Sequence, residues 1–143
     1  MKNKITSKPK RTAKPFKLGL DIHGCINVMP KFFSWLSILA FTNGDEVHII
    51  TGKHVHDGVK EELEKFNIYY THLFSISDYY KEHGVNIKYD KNNEPWIPKD
   101  LWNKAKAEYC KREKIDMHID DSDEYGKHFE TPYAKLSMKK KKK

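Results

Sequence analysis

The chain has 143 residues, a length that suits a single domain with a single hydrophobic core. Its net charge of +7 comes from its ends: residues 1–17 carry seven Lys or Arg, residues 135–143 carry six, and neither segment has an acid, whereas residues 18–134 carry 14 Lys or Arg against 20 Asp or Glu. An acidic body argues against a domain that binds nucleic acid through a basic folded face, and no run of about 18 apolar residues exists to span a membrane.

Strand-like and helix-like segments alternate along this body. Residues 16–20 form an apolar run that ends at Asp21, which predicts a short strand with an acid at its carboxyl end. Residues 30–42 open with proline and stop before an Asn-Gly pair, which predicts the first crossover helix. The β-branched run at residues 46–50 predicts the next strand.

The rest of the chain continues the alternation. The predicted elements are a helix over 57–65, a strand over 68–74, a short helix over 77–84, an irregular hairpin between residue 85 and Trp96, a helix over 99–114 and a strand over 115–119. Strands that alternate with helices favour a parallel sheet with helices on both faces. The predicted fold class is therefore α/β, a three-layer Rossmann-like parallel sheet.

Three of the predicted strands end in polar side chains. Asp21 follows the first, Thr51 and Gly52 follow the second, and Asp120 and Asp121 follow the last. Because the carboxyl ends of parallel strands meet at one edge of a sheet, we expect these side chains to lie close together. Carboxylates suit Mg²⁺ and a hydroxyl suits a phosphoryl group, so the sequence predicts a magnesium-dependent phosphoryl-transfer site.

The order and spacing of four segments resemble the haloacid dehalogenase-like (HAD) superfamily of hydrolases, over about residues 16–130. Residues 18–26 match its first motif, residues 48–52 the second, Lys106 the third and residues 118–122 the fourth. The sequence is also similar to small capless members found in bacteriophage genomes. Since the crossover helix begins soon after the first motif, we expect a HAD-like domain without a large cap domain.

The resemblance implies a role for each matching residue. Asp21 would be the nucleophile and a metal ligand, and Thr51, Gly52 and Lys106 would bind the phosphoryl group. Lys104, two residues before Lys106, is the rival for that lysine role.

The same resemblance implies a Mg²⁺ cofactor held by the Asp21 carboxylate, the backbone carbonyl of His23 and a fourth-motif acid. The sequence does not rank Asp120 against Asp121 for this role.

His23 is the main departure from the family pattern. Phosphatases of the family usually carry a second aspartate there as general acid and base, and an imidazole can take over that proton transfer near neutral pH. Nearby, the spacing of His54 and His56 with Asp57 is compatible with a transition-metal site, but we favour a solvated pair of histidines at a helix start.

We therefore expect a magnesium-dependent phosphatase that forms an aspartyl-phosphate and acts on a nucleotide or another small phosphate monoester. Two alternatives stay open. One is a phosphatase of nucleic-acid ends, with the basic tails supplying affinity, and the other is a catalytically silent HAD-like binding module with the same tails. The sequence leaves the oligomeric state open.

The charge pattern also predicts how the chain is organised. We expect a basic flexible tail over residues 1–15, the HAD-like domain over 16–134 and a lysine-rich tail over 135–143. The amino terminus has no apolar signal core, and Cys25 and Cys110 do not form a disulfide framework, so we expect a soluble cytoplasmic protein with reduced thiols.

Overall fold

The computed structural model describes residues 14–138. Most of both predicted tails, residues 1–13 and 139–143, lies outside this range. The strands are β1 Lys17–Leu20, β2 Glu46–Thr51, β3 His72–Ser75, β4 Lys88–Tyr89, β5 Pro95–Trp96, β6 Met117–Asp120 and β7 Tyr133–Lys135. The helices are α1 Pro30–Thr42, α2 Val59–Lys65, α3 Ile76–Glu82, α4 Lys99–Arg112 and α5 Asp123–Gly126, with a kinked turn at Ile22–Ile26 and a 3₁₀ turn at Val55–Asp57.

Five strands form one parallel sheet in the order β3-β2-β1-β6-β7, and β4 and β5 form a separate antiparallel hairpin. The α/β fold with a Rossmann-like parallel sheet is therefore confirmed. The chain moves outward from β1 to β3 and then returns to β6 on the other side of β1. Open α/β sheets bind their ligands outside the carboxyl ends of the strands at such a reversal.

Helices cover both faces of the sheet. Successive residues of β2 point to opposite sides, so their contacts show which helices lie on each face. Val47 and Ile49 belong to a core that includes Phe33 of α1 and Leu63 of α2. Ile50 packs on the other face against residues of and after α4, among them Cys110 and Ile115. The body therefore has three layers, and α4 lies on the face opposite α1.

Two strands differ from the prediction. β3 begins at His72 rather than at residue 68: its pairing with β2 starts at His72, and the preceding Tyr69 N–H donates to Ser37 Oγ on α1 instead. β7 was not predicted: it has three residues, follows a proline and pairs with β6 alone. A strand of three residues at the edge of a sheet is too short to show the alternation of apolar and polar residues by which strands are predicted.

The predicted boundary between residues 134 and 135 falls inside β7, and the N–H of Leu136 still donates to the Asp120 carbonyl. Across residues 14–138, no helix is both long and apolar enough to cross a membrane.

Candidate active site

Three carboxylates converge where β1 and β6 end. Asp21 follows β1, Asp120 is the last residue of β6 and Asp121 comes next. The N–H of Asp21 donates to the Ile119 carbonyl, which fixes the two strand ends side by side. One oxygen of each carboxylate lies within 4.8 Å of the others, so the sheet brings together the acids of the first and fourth motifs.

Lys106 on α4 reaches into this cluster from the face of the sheet opposite α1. Its Nζ lies 2.8 Å from Asp21 Oδ1 and 2.8 Å from Asp120 Oδ2, and the side chain is only 3% exposed. Lys104 is exposed on the same helix. Of the two lysines that the sequence offered, Lys106 is therefore the one that contacts the carboxylates.

Asp120 is held by four donors. Its Oδ1 accepts the N–H groups of Asp121 and Ser122, and its Oδ2 accepts Lys106 Nζ and His118 Nε2 at 2.8 and 2.9 Å. A carboxylate oxygen has two lone pairs, so these bonds account for the capacity of both oxygens. This engagement separates Asp120 from Asp121, whose side chain is exposed and lines a cavity.

The charges of the cluster depend on one another. Burial raises the pKa of Asp21 to about 7, although Lys106 opposes that shift. Burial also disfavours ionised Asp120, but the His118 hydrogen bond and the Lys106 charge outweigh it and hold the pKa of Asp120 well below its ordinary value. Burial disfavours the Lys106 ammonium as well, yet the two carboxylates together raise the pKa of Lys106. Lys106 therefore stays charged, and of the two carboxylates that it contacts Asp21 is the one whose pKa is raised.

A cavity of about 420 Å³ opens above these residues, a size that accommodates a small ligand. Asp21 and Lys106 form part of its polar wall. Its lining also includes His23, Gly52, Lys53, Glu94, Pro95, Trp102, Asp121, Ser122 and Tyr125.

Gly24 allows the first motif to pass close to the fourth. It adopts φ 97°, in the left-handed region, and a Cβ at this position would lie 2.1 Å from Asp121 Oδ2. Glycine meets both requirements because it has no side chain and tolerates positive φ. The kinked turn at Ile22–Ile26 therefore sets His23 and Asp121 on the same cavity.

His23 lines the cavity, but its imidazole also has a protein partner. The side chain is 42% exposed, and Nε2 lies 2.9 Å from Glu62 Oε1 on α2. Glu62 therefore contacts the ring from α2. The position is accessible to a ligand and to water, as a group that transfers protons requires.

The second-motif residues are not all placed alike. Thr51 is fully buried and is not part of the cavity lining; its Oγ1 faces the Lys53 N–H at 3.4 Å. Gly52 does line the cavity, and a Cβ there would lie 2.4 Å from Trp102 Cη2. Glycine at this point therefore lets the indole of Trp102 close against the end of β2.

Sequence reasoning missed Lys53, Trp102 and Tyr125 as parts of the site. Trp102 Nε1 donates to the Tyr125 hydroxyl at 2.6 Å, and the Tyr125 ring lies 5.0 Å from Lys106 Nζ. Trp102 stands four residues before Lys106 on α4, so helical spacing offered a signal that both share one face. Tyr125 gave no comparable signal, because its place depends on the turn after β6.

The preference for a solvated histidine pair after Lys53 was wrong for His54. This side chain is 1% exposed, with Nδ1 2.6 Å from Asp78 Oδ1 and Nε2 2.9 Å from the Tyr89 hydroxyl. Only His56 is exposed as expected. Burial follows because α3 and the β4–β5 hairpin supply a partner for each imidazole nitrogen.

The donor set of the carboxylate cluster fits Mg²⁺, which prefers oxygen ligands. Among residues 14–138, Lys106 is the one lysine or arginine that forms an ion pair with Asp21 or Asp120, so the ionised cluster keeps an excess negative charge. Asp21 and Asp121 are the carboxylates on the cavity side, whereas the oxygens of Asp120 are already engaged.

Comparisons of the chain with protein-family models, with curated proteins and with solved structures give no match. Function therefore has to be inferred from the site itself.

Proposed function

We propose that the protein is a magnesium-dependent phosphatase of the HAD-like type, which forms an aspartyl-phosphate from a small phosphate monoester. The observation that carries this proposal is the state of Asp21. It is a buried carboxylate on the wall of a cavity, and Lys106 holds one of its two oxygens. A group fixed in this way presents the same oxygen to every substrate and is protected from bulk water.

In the proposed reaction, an Asp21 oxygen attacks phosphorus and the bond from phosphorus to the ester oxygen breaks. The departing alkoxide takes a proton from His23 and leaves as an alcohol. Water then attacks phosphorus of the aspartyl-phosphate and gives a proton back to His23. The bond from phosphorus to the Asp21 oxygen breaks, so inorganic phosphate leaves and the Asp21 carboxylate is regenerated. Lys106 offsets the negative charge that gathers on both partners during attack.

Asp21, Asp121 and the backbone carbonyl of His23 would hold the magnesium ion. When bound, Mg²⁺ supplies positive charge that offsets the repulsion between the phosphate dianion and the nucleophile. Asp120 has a different task in this proposal, because its four hydrogen bonds make it the fixed anchor of Lys106. The order of the two fourth-motif acids, which the sequence left open, is thus proposed from their hydrogen bonds.

The phosphoryl group would be bound by Lys106, the backbone at Gly52 and the side chain of Lys53. Thr51, the residue first assigned to this task, would instead shape the turn, since it lies outside the cavity lining. The remaining walls include Pro95, Trp102 and Tyr125, which provide apolar and aromatic surface for the rest of the substrate. A nucleoside monophosphate has a phosphoryl group for the first part of the cavity and a planar base for its apolar and aromatic wall.

The test is release of inorganic phosphate from p-nitrophenyl phosphate and from a panel of nucleoside monophosphates, with Mg²⁺ and with EDTA. We expect turnover only with Mg²⁺, and we expect Asp21→Asn to lower it by roughly a thousandfold or more, because the amide is not a nucleophile. Asp100→Asn changes an exposed aspartate at the start of α4 and serves as the matched control with wild-type turnover.

Wild-type turnover in Asp21→Asn would refute the assignment of the nucleophile. If the wild-type protein binds a nucleotide but releases no phosphate with any member of the panel, the silent binding module replaces the phosphatase.

A further inference from the structure

A second polar cluster lies in the amino-terminal half of β2, away from the carboxyl edge. Glu46 and His48 are two residues apart on this strand and point to the same face. His72 opens β3 and pairs with His48 in the sheet register. Parallel pairing thus places two imidazoles and one carboxylate side by side on one face of the sheet.

The three side chains converge at short range. Glu46 Oε1 lies 2.8 Å from His48 Nε2 and 3.8 Å from His72 Nδ1. The two imidazoles stack in parallel with ring centroids 4.1 Å apart, and one ligand atom from each of the three residues lies within 4.8 Å of the others. A histidine binds a metal through a lone pair in the plane of its ring, so both imidazoles can face one ion only if the half-exposed His72 ring turns out of the stack. His72 Nδ1 then also exchanges its contact with Thr71 Oγ1, at 2.8 Å, for the ion. Two ligand atoms bound to one zinc ion at about 2.1 Å each can be at most about 4.2 Å apart. The distances from Glu46 Oε1 to His48 Nε2 and to His72 Nδ1 are both below this limit.

The surroundings complete the site. His48 is 1% exposed, and its Nδ1 lies 2.6 Å from the Tyr109 hydroxyl on α4. Histidines that bind metals typically have such a partner on the second nitrogen, which fixes the ring and its tautomer. His72 is half-exposed, so an ion and a water molecule have access from solvent. Lys17 Nζ, 3.9 Å from Glu46 Oε1, is the cation that an ion would displace.

We propose that Glu46, His48 and His72 form a transition-metal site of the zinc class, with Tyr109 as the outer hydrogen-bond partner of His48. Two imidazole nitrogens and one carboxylate oxygen are a donor set that zinc accepts, and water would fill the fourth position. Mg²⁺ does not suit this set because it prefers oxygen ligands. The ion would take the place of the proton now shared between His48 and Glu46 and would join β2 to β3.

The proposal does not rest on the phosphatase, and its test does not measure phosphate release. EDTA-treated full-length protein is titrated with Zn²⁺ by calorimetry in the presence of excess Mg²⁺, which would compete with Zn²⁺ for the carboxylate cluster. We expect one zinc equivalent with micromolar or tighter affinity. His72→Ala and Glu46→Gln should each weaken binding by at least about tenfold, and Tyr109→Phe should weaken it by about tenfold as an outer partner.

His72 is the first variant to test because it is half-exposed and its loss does not open the core. The matched control is His56→Ala, which changes the exposed histidine of another group, His54, His56 and Asp78, whose ligand atoms also lie within 4.8 Å of one another. This control should bind Zn²⁺ like the wild type. The proposal is overturned if the wild type binds no zinc, if His72→Ala binds it equally well, or if His56→Ala removes the binding.

Discussion

The carboxyl edge of the sheet, where β1 and β6 end, and the amino-terminal half of β2 hold polar clusters of opposite design. At the carboxyl end, one buried cation, Lys106, is shared between the carboxylates of Asp21 and Asp120. In the amino-terminal half, one carboxylate, Glu46, is shared among cationic or neutral donors, with His48 closest. The first cluster buries charged groups that depend on one another for pairing, whereas the imidazoles of the second can lose their charge by releasing protons.

The largest expected effect comes from removing the central group of each cluster in turn. Lys106→Met leaves two buried carboxylates without their cation, so we expect it to lower the free energy of unfolding by about 3–5 kcal/mol. Glu46→Gln removes a partly exposed acid and keeps a hydrogen-bonding side chain, so we expect a loss of about 1 kcal/mol. Urea denaturation measures both.

Lys104→Met is the matched control for the first variant, because it changes an exposed lysine two residues away on α4. It should alter stability by less than about 0.5 kcal/mol. Equal losses in Lys106→Met and Glu46→Gln would mean that the clusters do not differ in the way described.

The sequence revealed the two clusters to different degrees. Asp21 comes directly after β1 and Asp120 is the last residue of β6, so their meeting at one edge follows from parallel topology alone. The position of Lys106 required a helix face as well, which is why Lys104 remained a rival. Glu46, His48 and His72 were not predicted as a site, because their meeting depends on the register between β2 and β3, and the predicted start of β3 was four residues too early.

The second prediction concerns proton transfer at the carboxyl end. His23→Ala should lower turnover by about a hundredfold, because it removes the group proposed to protonate the alkoxide and to deprotonate water. Phosphate release across the pH range measures this effect. Glu62→Gln keeps the imidazole but weakens its orientation, so a smaller loss is expected there. If His23→Ala keeps the wild-type rate and pH profile, the proton must come from another group.

The third prediction is that the two clusters give metal-free protein opposite responses to pH. Burial raises the pKa of Asp21 from 3.8 to about 7, so between these values the folded protein holds a proton that the unfolded chain has lost. Stability from this group therefore falls as the pH rises from about 4 to 7, by roughly 1–3 kcal/mol. Burial lowers the pKa of His48 from 6.5, so its contribution is instead lost as the pH falls below about 6.5.

Urea denaturation in EDTA at several pH values separates the two contributions. Asp21→Asn removes the first group, so stability should no longer decline between pH 4 and 7 and should rise with pH near 6, where His48 then dominates. An unchanged decline in Asp21→Asn would show that Asp21 is not the titrating group.

The fourth prediction tests whether the two ends of β2 respond independently. Gly52→Ala places a Cβ 2.4 Å from Trp102 Cη2, so the indole must move, which we expect to cost about 1–3 kcal/mol in stability. Because Trp102 lines the cavity and donates to Tyr125, the same shift should raise the KM of a nucleotide substrate more than it lowers kcat.

Gly58→Ala provides the control. The added Cβ would have no atom within 4 Å, but alanine is strained at the φ of 87° found there. This variant should therefore lose stability without moving Trp102. Binding of Zn²⁺ should be the same in both variants and in the wild type, since neither glycine belongs to the Glu46–His48–His72 cluster. If Gly52→Ala weakened zinc binding as much as it raised KM, a displacement at the carboxyl end would reach the amino-terminal half of β2. The two clusters would then act as one coupled unit, because the strand that joins them would transmit the change.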